Sequence, residues 1–164
     1  MNSLKENSIL KYLSVAICTL LLTNIILADE KVEKSCTKDI IIGTWVLSVS
    51  KNSGNVPDSY SDLIEPYQML KFGIDNKYSK LSSKNALSVK QMTDLLNFPS
   101  EEAYDIDGSK ILIKDGNSQT IDVIDCSFFF NDAPKIGIKK NTLSLLWFYQ
   151  DKPIILNTYT KVSK

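Results

Sequence analysis

The chain has 164 residues, with 19 basic and 19 acidic side chains and no histidine, so it is formally neutral at pH 7. Every basic residue is a lysine. That excludes histidine triads, the usual histidine zinc sites and bidentate arginine forks, and a balanced chain carries no electrostatic footprint for nucleic acid.

Met1 to Lys11 is short and polar, with Lys5 and Lys11, and Tyr12 to Leu27 is almost wholly apolar. Ala28 then precedes an abrupt Asp29-Glu30-Lys31. A basic start, an apolar core and a small residue before a charge shift describe a secretory signal peptide. Cleavage after Ala28 is expected, leaving residues 29–164 as one periplasmic or secreted domain of net charge about −1. The apolar run is at or below the ~20 residues that a spanning helix needs. Cys18 leaves with the leader, so Cys36 and Cys126 are the mature protein's two thiols. An exported chain with two cysteines most often joins them. A closed loop of about ninety residues contributes roughly 4–5 kcal/mol in the chain-entropy model. The alternative is two separate buried thiols.

Asp29 to Asp39 reads as a charged lead-in pinned by Cys36. The first strand spans roughly Gly43 to Ser50, with Trp45, Leu47 and Val49 on one face and Thr44, Ser48 and Ser50 mostly on the other. Lys51 to Pro66 carries the turn formers of a long loop, and its Leu63 and Ile64 are expected to fold back as a flap over something apolar. Strands follow at Tyr67 to Ile74 and Tyr78 to Ser82. Ser88 to Asn97 is the one short helix, capped by Ser88, with Val89, Met92, Leu95 and Leu96 on one face and Pro99 as its stop. Asp107-Gly108 marks a tight hairpin between Ala103–Ile106 and Lys110–Ile113. Thr120 to Phe130 is a long strand whose apolar phase changes between Val123 and Ile124, which predicts a bulge there. Short strands at Ile136 to Ile138, Thr142 to Gln150 and Ile154 to Val162 complete the pattern. The predicted fold is all-β, an antiparallel up-and-down barrel of about 8–10 strands, because a meander of this length closes or doubles to remove its edges.

Gly43-Thr44-Trp45 on the first strand, with Tyr159-Thr160-Lys161-Val162 on the last, resembles small bacterial lipocalin-like (calycin-type) domains. The resemblance implies that Trp45 plugs the base of a lipocalin-like barrel beside Gly43, with Lys161 lying across its ring. A cation–π contact of that kind contributes about 0.5–2 kcal/mol. Where the family usually places an arginine, this chain has lysine.

Acid pairs at Glu101-Glu102, Asp105/Asp107 and Asp122/Asp125 lie beside turns or on strand faces, where carboxylates are usually solvated. Asp75-Asn76 and Asp115-Gly116-Asn117 lack the graded ligand spacing of a calcium loop. No nucleophile–base motif, phosphate loop or Cys-x-x-Cys is present, so no enzyme, cofactor or metal is expected. Met69, Phe72, Trp147 and Tyr159 are the candidate lining of an apolar ligand cavity; the alternative is that these side chains fill a small barrel solid. Leu146 and Phe148, on the opposite face from Trp147, call for a cover. The sequence thus points to an exported, monomeric binding protein for a small, lipid-like apolar ligand. The alternative is a protein-interaction module of inhibitor or immunity type, which would use the face of Leu146 and Phe148 or the Lys51–Pro66 loop.

Overall fold

The computed structural model describes residues 33–97, 102–134 and 137–162. The leader, its cleavage point, Pro99, Glu101 and the start of the Ile136 strand lie outside these residues. The described strands are β1 (Glu33–Ser35), β2 (Gly43–Asn52), β3 (Tyr67–Phe72), β4 (Tyr78–Ser83), β5 (Ala103–Asp107), β6 (Lys110–Lys114), β7 (Thr120–Phe129), β8 (Thr142–Tyr149) and β9 (Lys152–Lys161). Helices α1 (Lys38–Ile41) and α2 (Val89–Leu96) and a 3-10 segment (Asp58–Ile64) complete the elements.

Eight strands form one antiparallel sheet in the order β4-β3-β2-β9-β8-β7-β6-β5, curled into a half-barrel. Sequence neighbours are spatial neighbours except at β2–β9, where the last strand meets the first long one. The outer strands β4 and β5 touch at one end through a bridge between Lys77 and Ala103. There the Tyr78 amide donates to the Glu102 carbonyl at 3.0 Å and the Tyr104 amide to the Asn76 carbonyl at 2.8 Å.

Alternation builds the core. Leu70 and Phe72 of β3, Ile124, Cys126 and Phe128 of β7, Leu143, Leu145 and Trp147 of β8, and Ile155 and Tyr159 of β9 join Trp45 in one buried cluster. A smaller cluster lies on the other side of β3, where Met69 meets Met92 and Leu96 of α2. That helix starts with a reciprocal cap: Ser88 Oγ accepts from the Gln91 amide, and the Gln91 side chain accepts from the Ser88 amide. Only part of its expected apolar face is covered, since Met92 and Leu96 are buried but Val89 and Leu95 are exposed.

Three local expectations differ. The lead-in contains β1 and α1, because residues 33–35 add a short strand to β7 and Thr37 starts a turn of helix. In β2 the register slips between Leu47 and Val49, so Ser50 pairs with Asn157 and Val49 with Thr158. The extra residue reverses the strand's alternation: Val49 is exposed and Ser50 is not. In β7 no bulge falls between Val123 and Ile124, whose pairing with Leu112 and Ile111 is regular. The apolar phase changes because Ile121 and Val123 face outward, 54% and 41% exposed.

Cys36 and Cys126 form a disulfide, Cα–Cα 5.7 Å, just beyond the β1–β7 pairing of Ser35 with Ser127. A disulfide is consistent with an oxidising, extracytoplasmic compartment. Among the described residues, no helix is long and apolar enough to cross a membrane. Because the bridge closes a separation of 90 residues, the Cys36→Ser/Cys126→Ser variant is expected to lose about 2–5 kcal/mol of stability in urea titration. Peptide mapping without reductant should find the two cysteines joined.

Candidate functional site

Of the four residues expected to line a cavity, Phe72, Trp147 and Tyr159 lie in the main cluster and Met69 does not. Met69 is next to inward-facing Leu70 on β3, so its side chain points to the opposite face, under α2. The three inward aromatics are each at most 1% exposed and pack with Trp45, Tyr78, Tyr104 and aliphatic side chains. Phe72 meets Tyr78 at a tilt and Tyr104 edge-on, each with ring centroids 5.2 Å apart.

Leu63 comes into this interior from above. It belongs to the 3-10 segment between β2 and β3, is 2% exposed, and joins the central cluster with Val56 and Tyr60 packed alongside. The flap expected over residues 51–66 is therefore present, and its Leu63 occupies the space under it; Ile64 stays exposed. Two amide side chains hold it there. Gln68 Nε2 donates to the carbonyls of Leu63 and Glu65, each at 2.7 Å, and Asn157 Nδ2 donates to the Leu63 carbonyl at 2.8 Å. Asn157 Nδ2 and Tyr159 OH also donate to Gln68 Oε1, at 3.1 and 2.8 Å. Burial pushes the Tyr159 phenol far above its ordinary range, so it stays a neutral donor.

At the same end a cleft of about 570 Å³ opens between Tyr60, the start of β7 (Ile121, Asp122, Val123) and the end of β8 (Phe148, Gln150). An adjoining hollow of about 240 Å³ shares Tyr60, Ile121 and Asp122 and adds Asp62, Leu63 and Lys80. Asp122 has the parity of Ile124 and Cys126, so its carboxylate turns inward at the strand's beginning. The Trp147 indole donates to it at 3.1 Å and the Val123 amide at 2.9 Å. Burial raises its pKa against the pull of those two donors, and Asp62 raises it slightly while Lys80 opposes. Lys80 is paired with Asp62 at 2.6 Å, joining β4 to the 3-10 segment. With Asp125, Asp151 and Lys110 on the rim, acids outnumber lysines.

The far end of the sheet is built differently. Trp45 is fully buried, its indole donates to the Ile41 carbonyl at 2.7 Å, and Phe128 meets its ring edge-on at 6.1 Å. Lys161 Nζ stands 5.2 Å from the ring centroid. The lysine stem reaches that place by crossing Gly43, where a Cβ would sit 2.7 Å from Lys161 Cε and where φ is +133°. The positive φ requires glycine, while an added Cβ would displace the flexible end of the lysine from the ring.

Three of the other acids singled out in the sequence bond locally. Asp75 accepts from the Lys77 amide, and Asp115 from the amides of Asn117 and Gln119. Asp105 accepts from its neighbour's amide and from Lys114. Among the described residues, no group of three or more His, Cys, Asp or Glu is placed to hold a metal ion. Gln68 and Asn157 are interior residues that the sequence reading does not anticipate. Their signal was parity alone, with Asn157 between Ile155 and Tyr159 and Gln68 two before Leu70.

Two outcomes test this geometry. Leu63→Ala should destabilise the protein by about 2–5 kcal/mol in urea, the range for a buried leucine that leaves a cavity. For Asp122, a raised pKa means that the folded state holds the proton more tightly than the unfolded chain. Its contribution is therefore lost as pH rises from the unfolded carboxylate range through the folded pKa. Asp122→Asn should remove that loss, so wild-type stability relative to the variant should fall as pH rises through the ordinary carboxylate range and above it. The slope is the readout, because asparagine has one acceptor fewer. No protein-family model matches this chain, and neither a curated protein nor a solved structure does.

Proposed function

We propose that the protein is an exported lipocalin-like barrel that acts without catalysis as a protein-binding module of inhibitor or immunity type. The observation that carries this reading is the occupied interior. Leu63 and the aromatic side chains fill the space an apolar ligand would need, and two amides fasten Leu63 in place. The up-and-down strand order, the Lys77–Ala103 bridge between the outer strands and the Gly43–Trp45–Lys161 contact support a lipocalin-like architecture.

A filled barrel recognises with its outside. The strongest candidate surface is the cleft wall, where outward Ile121 and Val123 stand beside Phe148, close to Tyr149 at 43% exposure. Exposed β-branched residues flanked by Asp122, Asp125 and Asp151 suit a partner surface that alternates apolar and basic side chains. The filled interior favours this over carriage of a small apolar ligand.

The test is native mass spectrometry of the protein recovered from its own exported fraction, beside Ile121→Lys and Val123→Lys variants. Both positions are exposed, so folding should be unaffected. A one-to-one protein complex that each variant weakens about tenfold or more is the expected result. A lipid bound at unit stoichiometry, unaffected by either variant, would return the interior to its role as a ligand site and overturn the proposal.

A further inference from the structure

The bulge in β2 has a chemical result at the centre of the fold. A regular strand would turn Val49 inward beside Leu47, whereas the slip turns Ser50 inward directly across from Asn157. Two buried polar atoms meet there without partners among the described residues: Asn157 Oδ1 and Ser50 Oγ. Asn157 is 0% exposed. Directly paired residues place their Cβ atoms about 4.5–5.5 Å apart, yet the serine and asparagine oxygens do not bond to one another.

The amide's orientation is set by its other side. Asn157 Nδ2 is committed to the Leu63 carbonyl, Gln68 Oε1 and the Tyr159 oxygen. Rotating the amide would aim Oδ1 at a carbonyl and at Gln68 Oε1, acceptor against acceptor, so Oδ1 stays where it is. A buried carbonyl oxygen left unpaired costs about 1–3 kcal/mol. Serine is also the smallest hydroxyl that the bulge can place inward, and its short side chain stops shy of Oδ1.

We propose that Ser50 Oγ and Asn157 Oδ1 share one buried water molecule. Oδ1 only accepts, so the guest must donate; Ser50 Oγ accepts or donates as needed. A cation is the wrong guest, since Gln68, Tyr159, Ser50 and Asn157 are all uncharged and supply no counter-ion. A buried water needs two to four polar partners, and the bulge brings two orphaned oxygens to paired positions.

A high-resolution crystal structure of the full mature protein decides this. The expected result is an isolated density sphere about 2.5–3.0 Å from both oxygens, as one water gives. In Ser50→Val, which removes the hydroxyl, the peak should vanish while the strand pairing stays. Absence of density in the wild type, or a direct Ser50–Asn157 hydrogen bond, would overturn the proposal. So would a peak that survives in Ser50→Val.

Discussion

The Leu63 carbonyl is the point on which the interior depends. It accepts from two buried side-chain amides, Gln68 of β3 and Asn157 of β9, which come from strands on either side of β2. Lifting the 3-10 segment would take one acceptor from each amide, a net hydrogen-bond loss of about 0.5–1.5 kcal/mol apiece, and would expose a leucine worth roughly 1.5–3 kcal/mol when buried. Set beside the 5–15 kcal/mol that holds a domain folded, that sum fixes the cap shut at rest. The Lys80–Asp62 pair, about a third exposed on both sides, adds little by comparison.

The two ends of the sheet are thus sealed by different physics. At the Trp45 end the seal is apolar, with an indole on the Ile41 carbonyl, a phenylalanine edge and a lysine stem across the outer side. The disulfide at Cys36 and Cys126 fastens the lead-in to β7 beside Phe128. At the other end the seal is a hydrogen-bonded leucine, and the surrounding side chains include carboxylates. With both ends closed, the exposed apolar residues of β7, Ile121 and Val123, lie on the outside wall.

The strands were legible because most of them alternate cleanly, and Leu70-x-Phe72, Ile124-x-Cys126 and Leu143-x-Leu145-x-Trp147 each declare one buried face. The cap was legible as a flap from its turn formers and its Leu63. The cavity lining was not, because Met69 is apolar and adjacent to the inward row, and only the position of α2 tells which side of β3 is covered. The β2 bulge escaped for a related reason. Trp45, Leu47 and Val49 read as an unbroken alternation, and nothing local in Ser48 announces the extra residue. The amide network was hidden by type: an asparagine in an apolar strand looks like a surface residue until a carbonyl is found for it.

Some of the residues that contradict their positions fall together. Val49 and Ser50 follow the bulge at the late end of β2, which pairs with the early end of β9 through Asn52 and Ile155. Ile155 pairs with Trp147 on β8, and Trp147 with Ile124 on β7, beside outward Val123 and inward Asp122. An apolar residue turned out next to a polar residue turned in therefore occurs twice, on β2 and on β7, and both cases sit at the capped end. The Trp45 end has exceptions of its own, a buried Thr142 and a Phe130 that is 38% exposed, but no such adjacent exchange. Sequences that specify one fold are locally consistent, and their exceptions concentrate where function has a claim on the structure. The capped end, with its cleft, its inward carboxylate and its orphaned amide oxygen, is where that claim falls.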